Sequence, residues 1–84
     1  MEIEKALTGK SFRNDEAAVR YYFQRASRGD SYSQYVMGLL TEEGRGTTQD
    51  MNRAMQWYKQ SADSGEIRAQ FSLANLYYQG NVVV

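Results

Sequence analysis

The side chains that most often carry out chemistry in proteins are scarce in this sequence. Its 84 residues include no histidine and no cysteine, which excludes an imidazole base, a thiolate nucleophile, a disulfide and the usual ligands of zinc. Carboxylates remain, and Glu42, Glu43 and Asp50 lie close together along the chain. A calcium loop needs oxygen ligands at alternating positions, and these three do not have that spacing. We therefore expect no metal site, no cofactor and no enzymatic activity.

Two short motifs suggest ligand binding, but their surroundings do not support it. Residues 9–11 read Gly-Lys-Ser, the end of a phosphate-binding loop, yet position 4 is glutamate where that loop needs its first glycine. Residues 28–30 read Arg-Gly-Asp, which resembles an integrin-binding tripeptide. There, Gly29 is already explained as the residue that ends one helix, and Asp30 opens the next. We expect neither motif to bind a ligand.

The charge pattern limits the possible partners. Ten basic and ten acidic residues cancel, so no overall field attracts nucleic acid or an anionic membrane. Some helical repeats bind single-stranded RNA by stacking, and salt-sensitive binding would reveal that alternative. The first ten residues contain two glutamates and do not resemble a signal peptide. We expect a cytoplasmic protein that binds neither nucleic acid nor a membrane.

A repeat of 36 residues organises the chain. The stretch EAAVRYYFQRASRG at 16–29 returns as NRAMQWYKQSADSG at 52–65. The identical pairs are Ala18/Ala54, Tyr22/Tyr58, Gln24/Gln60, Ala26/Ala62, Gly29/Gly65, Gln34/Gln70, Leu40/Leu76 and Gly44/Gly80. A repeated unit of this length indicates a solenoid, in which each unit buries its apolar face against the next copy.

Apolar spacing predicts that every unit is helical. Ala54, Trp57, Tyr58 and Ser61 follow the i, i+3, i+4, i+7 pattern of a buried helix face, so we expect Trp57 and Tyr58 to lie in the core. The predicted helices are 15–28, 31–43, 51–64 and 67–79. Glycines 29 and 65 would give tight turns between antiparallel helices.

Residues that cap helices mark the predicted boundaries. Asn14 and Asp50 stand where N-caps are needed, and Ser31 with Gln34 fits a capping box. Residues 15–80 then form an all-α solenoid of antiparallel hairpins. Residues 1–14 form an N-terminal cap or short helix, and residues 81–84 form a tail.

The segment SQYVMGLLTEEGRGTTQDMNRAMQWYKQSADSGEIRAQFSLANLYYQG resembles the Sel-1-like repeat family, whose members are related to tetratricopeptide repeats. The positions that match its pattern are Met37-Gly38, Gly44-x-Gly46, Asp50, Arg53-Ala54, Trp57-Tyr58, Ser61-Ala62 and Gly65. The resemblance covers about two repeats, over residues 15–80. It implies a non-catalytic module that binds another protein or peptide. Bacterial relatives serve as scaffolds, regulators or toxin-neutralising partners, so the implied roles are adaptor, regulator and inhibitor.

By analogy with tetratricopeptide repeats, the leading helix of each hairpin lines a concave groove. The predicted partner-binding residues are Tyr32, Tyr35, Leu39, Glu42, Arg68, Phe71, Asn75 and Tyr78. Aromatic residues and arginine dominate binding hot spots, although packing within the repeat is an alternative role for Tyr35 and Phe71.

The C-terminal end is a second candidate surface. Leu73, Leu76, Tyr77 and residues 82–84 would leave an apolar face uncovered. Such a face implies a homodimer or a partner, or a third unit that covers it in a larger solenoid. A self-assembling fragment of a larger solenoid is therefore the alternative to an adaptor.

Overall fold

The computed structural model describes residues 12–80, which fold into four α-helices without a strand. These are α1 (Asp15–Ser27), α2 (Ser31–Glu43), α3 (Met51–Asp63) and α4 (Ile67–Tyr78). Every predicted helix is present, with its ends within one residue of the predicted bounds, and the all-α repeat fold is confirmed. The predicted cap over 1–14, apart from residues 12–14, and the predicted tail over 81–84 lie outside the described residues.

Acidic and amide side chains start the helices as the sequence predicts for α1 and α3. The side chain of Asn14 accepts a hydrogen bond from the backbone N–H of Ala17 at 2.9 Å. Asp50 accepts one from the backbone N–H of Arg53 at 3.1 Å. Each satisfies a donor that the first turn of a helix would otherwise leave without a partner, so both predicted N-caps are confirmed.

The predicted capping box at the start of α2 is wrong. The N-cap is Asp30, which accepts hydrogen bonds from the backbone N–H of Ser33 at 3.0 Å and from its hydroxyl at 2.5 Å. The side chain of Gln34 is used elsewhere, because its amide donates to the carbonyl of Ala26 in α1 at 3.1 Å. Gln34 therefore ties two helices together instead of closing its own first turn.

Tight turns join α1 to α2 and α3 to α4. Gly29 and Gly65 occupy the left-handed region, with φ of +96° and +91°, where a residue with a Cβ is strained. The helices they join run antiparallel, as predicted. Within the described residues each helix packs extensively only against its neighbours in sequence, as expected of a solenoid.

Tyr58 is at the centre of the core. Its side chain is fully buried, and its ring lies directly against Gly38, where an added Cβ would lie 2.9 Å from the ring Cζ and closer still to Cε1. Its hydroxyl donates a hydrogen bond to Glu42 Oε1 at 2.6 Å. The predicted burial of Tyr58 is confirmed, and α2 and α3 meet around this side chain.

Trp57 differs from the prediction because it is only partly buried. Its indole packs edge-to-face against the ring of Phe23, with the ring centroids 6.0 Å apart. Phe23 is itself 45% exposed. The aromatic pair therefore covers the outer junction between α1 and α3 and does not fill the interior.

The loop between α2 and α3 reaches back to the first helix. Arg45 donates through Nε and a terminal nitrogen to the carboxylate of Asp15, at 3.2 and 3.1 Å. Gly46 has φ of +73° and comes so close to α1 that an added Cβ would lie 2.5 Å from the Asp15 carbonyl oxygen. The loop thus fixes α1 relative to the hairpin formed by α2 and α3.

Candidate protein-binding surfaces

Arg68 connects the two leading helices, α2 and α4. Its guanidinium lies over the ring of Tyr32, 4.6 Å from the centroid, and 5.5 Å from that of Tyr35. Cations are attracted to the face of an aromatic ring at such distances. This contact places Tyr32 and Arg68 next to each other on the same side of α2 and α4.

Glu66 holds Arg68 in this position. Two nitrogens of the Arg68 guanidinium donate to the two Glu66 carboxylate oxygens, each at 2.9 Å. Glu66 also caps α4, because it accepts from the Arg68 backbone N–H at 3.2 Å. These hydrogen bonds lower the pKa of Glu66 and raise that of Arg68. The groove therefore carries a neutral, preformed ion pair and not a free positive charge.

Two of the predicted groove residues of α2 are directed at α3. Tyr35 is only 3% exposed, and its ring centroid lies 6.1 Å from that of Tyr58. Glu42 accepts the Tyr58 hydroxyl hydrogen bond. Burial thus removes Tyr35 from the surface that a partner could reach, and its role is packing, as the alternative interpretation held.

The residues of α4 divide in the same way as those of α2 when the two helices are aligned at a spacing of 36 residues. Tyr32 and Leu39 correspond to Arg68 and Asn75, and these four residues form the side of the two helices that we call the groove. Phe71 and Tyr78 correspond instead to Tyr35 and Glu42, the positions that α2 turns to α3. The eight predicted residues therefore do not form one continuous surface.

Phe71 and Tyr78 belong to an exposed row along the last described helix. Phe71 is 68% exposed and Tyr78 is 93% exposed. Ile67 (63% exposed) and Ala74 lie on the same side, since the spacing i, i+4, i+7, i+11 keeps residues on one helix face. We call these four residues the terminal stripe. Ile67 and Ala74 were not among the predicted site residues, although the 36-residue spacing pairs them with Ser31 and Gly38.

The second predicted surface, at the C-terminal end, is only partly exposed. Tyr77 is 52% exposed and Leu73 is partly buried, whereas Leu76 is 3% exposed and belongs to the core. Residues 82–84 lie outside the described part of the chain. The prediction was wrong for Leu76 because this residue packs inward, like its counterpart Leu40.

The buried tyrosine hydroxyls of residues 12–80 offer little for catalysis. Burial and the hydrogen bond to Glu42 raise the pKa of Tyr58 far above its usual value, and burial also raises that of Tyr22, so both phenols stay neutral. No cluster of acidic side chains in this range could hold a metal ion. None of the described helices is long and apolar enough to cross a membrane.

Comparison with known proteins identifies the repeat. The sequence matches the Sel1 repeat over residues 6–30, 31–66 and 67–83. The chain belongs to the Sel1 repeat family. The middle match is one full unit of 36 residues, and the flanking matches are parts of further units. The predicted resemblance is therefore confirmed, and it extends towards both ends of the chain.

Similar proteins come from distant organisms. The chain is 40% identical over 64 residues, or 76% of its length, to DAP3-binding cell death enhancer 1 of Rattus norvegicus. It is 42% identical over 55 residues, or 66% of its length, to a putative sel1-like repeat-containing protein of Acanthamoeba polyphaga mimivirus. It spans only 13% and 10% of those two proteins.

Two solved structures share the fold. One is a protective antigen of uropathogenic Escherichia coli with an SLR fold, with a TM-score of 0.79 and 33% identity over 83% of this chain and 15% of that one. The other is a Sel1 repeat protein from Oxalobacter formigenes, with a TM-score of 0.79 and 28% identity over 93% of this chain and 31% of that one. Sel1 repeats generally mediate protein–protein interactions, so the groove and the terminal stripe are the surfaces to consider.

Proposed function

We propose that this Sel1 repeat domain is a non-catalytic protein-binding module that acts as an adaptor, regulator or inhibitor. The groove between α2 and α4 would hold a peptide or helix of another protein. The observation that carries the proposal is the Arg68 guanidinium held over Tyr32 by its two hydrogen bonds to Glu66. A side chain fixed before binding loses little entropy when a partner arrives.

The electrostatics of the groove favour a particular class of ligand. Glu66 already neutralises Arg68, so an acidic peptide would have to compete with an existing carboxylate. Tyr32 and Leu39 supply an apolar and aromatic wall, and the amide of Asn75 can both donate and accept hydrogen bonds. These features favour an uncharged segment with an apolar anchor and an accessible peptide backbone.

Selection from a random peptide library on the immobilised domain tests this function. We expect the selected peptides to perturb the NMR signals of Tyr32, Leu39 and Asn75. Tyr32→Ala and Asn75→Ala should each weaken binding at least about tenfold, the loss typical of a hot-spot residue. Lys59→Ala, on the exposed side of α3, is the matched control and should change nothing. Peptides that contact only α1 and α3 would contradict the proposal.

The comparisons support protein binding as the broad role. The name of the rat relative describes a DAP3-binding protein, so at least one similar chain is named for a protein partner. An RNA-binding role is the less favoured candidate, because the chain is neutral overall and the groove arginine is paired. We also propose a cytoplasmic location without a membrane partner, which fractionation of cells that express the protein would check.

A further inference from the structure

The terminal stripe is an apolar helix face without a partner among the described residues. Ile67, Phe71 and Tyr78 are 63, 68 and 93% exposed, and Ala74 is exposed between them. None of the four carries a charge. Contiguous exposed apolar residues of this kind mark interaction sites more often than ordinary surface.

The repeat itself shows what such a face accepts. Thirty-six residues earlier, the corresponding positions on α2 are Ser31, Tyr35, Gly38 and Glu42, and all four contact α3. The contacts are a hydrogen bond from Ser61 Oγ to the Ser31 carbonyl at 2.6 Å, together with the packing of Tyr58 on the other three residues. The terminal stripe therefore has the form of a face that receives an antiparallel helix.

The first helix cannot supply that helix from a second copy. In α1 the counterpart of Tyr58 is Tyr22, which is itself only 3% exposed. Phe12 packs on it with the ring centroids 5.8 Å apart, and on Tyr21 at 5.4 Å. Because Tyr22 is covered in this way, α1 offers no open counterpart of the Tyr58 face, and within residues 12–80 the matching open face on a second copy is its own terminal stripe.

We propose that two copies pair through α4, with the helices antiparallel across a two-fold axis that passes near Ala74. An interface that uses the same surface on both subunits closes at two copies and does not extend further. This proposal specifies the interface of the homodimer considered above for the C-terminal end, and it does not depend on peptide binding in the groove.

The stripe is complementary to itself in this arrangement. The smallest side chain, Ala74, lies at the crossing point, where it allows the two helix axes to come close. The antiparallel direction sets Phe71 of one copy beside Tyr78 of the other, and offset or edge-to-face aromatic pairs are favourable. No like charges meet across the axis, because the neighbouring Arg68 is neutralised by Glu66 within its own copy.

The exposed area is sufficient for a modest interface. With about 200 Å² for each aromatic residue, the exposed fractions of Phe71 and Tyr78 correspond to about 300 Å² per copy. Two copies then contribute about 600 Å² from these aromatic residues, and Ile67 and Ala74 add to it, which leaves the total below the limit of about 1,200 Å² for stable specific interfaces. We therefore expect a weak, reversible dimer.

A single engineered cysteine tests the position of the axis, because the natural chain has no cysteine. A disulfide needs Cα atoms within about 7 Å, which two copies reach only close to the two-fold axis. Ala74→Cys should therefore form a covalent dimer under mild oxidation at least about tenfold faster than Gln24→Cys, an exposed position on α1. Equal rates for the two variants would overturn the proposed axis.

Solution mass provides the second test. The chain mass is 9.6 kDa, and light scattering over about 10–300 μM should show a shift towards twice that value. Phe71→Asp should weaken the dimer at least about tenfold, because an unpaired charge at an interface is unfavourable, while the helical circular dichroism stays unchanged. A monomer throughout the range, or growth beyond a dimer, would overturn the proposal. Peptide binding in the groove does not depend on the dimer, so the effect of Tyr32→Ala on peptide binding tests the proposed function separately.

Discussion

Replacing Gly38 by alanine is the most direct test of the packing between α2 and α3. Helix propensity alone predicts that alanine stabilises an interior helix position by about 1 kcal/mol. The structure predicts the opposite, because a Cβ would lie 2.5 Å from Cδ1 and 2.9 Å from Cζ of Tyr58. The ring has little room to move, since it is fully buried and its hydroxyl is bound to Glu42.

The expected magnitude follows from these two opposing effects. Overpacking of a tight core costs about 1–3 kcal/mol, and contacts this short favour the upper part of that range. The gain in helix propensity offsets about 1 kcal/mol of it. We therefore expect Gly38→Ala to lower the free energy of unfolding by about 1–2 kcal/mol. For a domain of this size, that corresponds to a decrease in Tm of about 5–15 °C. Urea titration followed by circular dichroism at 222 nm measures the difference.

A second background separates the two effects. In the Tyr58→Val protein all three ring carbons that approach the added Cβ are gone, so Gly38→Ala should stabilise that protein by up to about 1 kcal/mol. The sign of the effect would then reverse between the two backgrounds, which a double-mutant cycle detects as coupling. Ala74→Gly is the control at the equivalent position of α4, where no ring of residues 12–80 is packed, and in dilute, monomeric protein it should cost only the loss of helix propensity. A stabilising Gly38→Ala in the natural sequence would refute the packing described here.

Three further predictions concern single side chains. Tyr58→Ala should cost about 3–5 kcal/mol, whereas Trp57→Ala should cost about 1–2 kcal/mol, because Trp57 covers Phe23 at the surface; equal losses in urea titrations would contradict this difference. The raised pKa of Tyr58 means that the folded state keeps its proton while the unfolded state loses it above about pH 10. The unfolding free energy should therefore decrease as the pH rises beyond 10, with a smaller decrease in Tyr58→Phe, and a decrease of equal size in both proteins would argue against this origin. The pKa of Glu66 is lowered by Arg68, so the stability it provides is present above about pH 4.5 and is lost as the pH falls through the lower folded-state value. Glu66→Gln should reduce that acid dependence in thermal melts, and an unchanged pH profile would show that the ion pair contributes nothing.

Much of the fold could be predicted because the same local signals occur in both units of the repeat. Gly29 and Gly65 end helices, and Asn14 and Asp50 begin them, and all four do so through interactions within a few residues. The predicted start of α2 at residue 31 is correct, but its capping residue was wrong, because Asp30 and Ser31 are adjacent and both are good N-caps. Sequence alone could not show that Gln34 is drawn away to the carbonyl of Ala26.

The candidate site was harder to predict than the fold, because helix spacing does not say which neighbour a face meets. Tyr32 and Tyr35 are three residues apart and were assigned to one groove, yet one lies beneath Arg68 and the other is buried beside Tyr58. The exposure of Phe71 follows from the absence of a helix over α4 among the described residues. The absence of a covering helix cannot be predicted from residue types or local patterns in the sequence.

The predominantly sequential packing of the four helices has a consequence for how the domain opens. An array whose elements contact only their neighbours behaves like a one-dimensional chain of coupled units, and units at its ends open at the lowest free energy. Within residues 12–80, α4 packs extensively only on α3 and α1 only on α2, whereas α2 and α3 each have two such neighbours. The loop ion pair between Arg45 and Asp15 holds α1 in addition. Amide hydrogens of α4 should therefore exchange with solvent before those of α2, and this protein should unzip from α4 towards the layer that holds Tyr58.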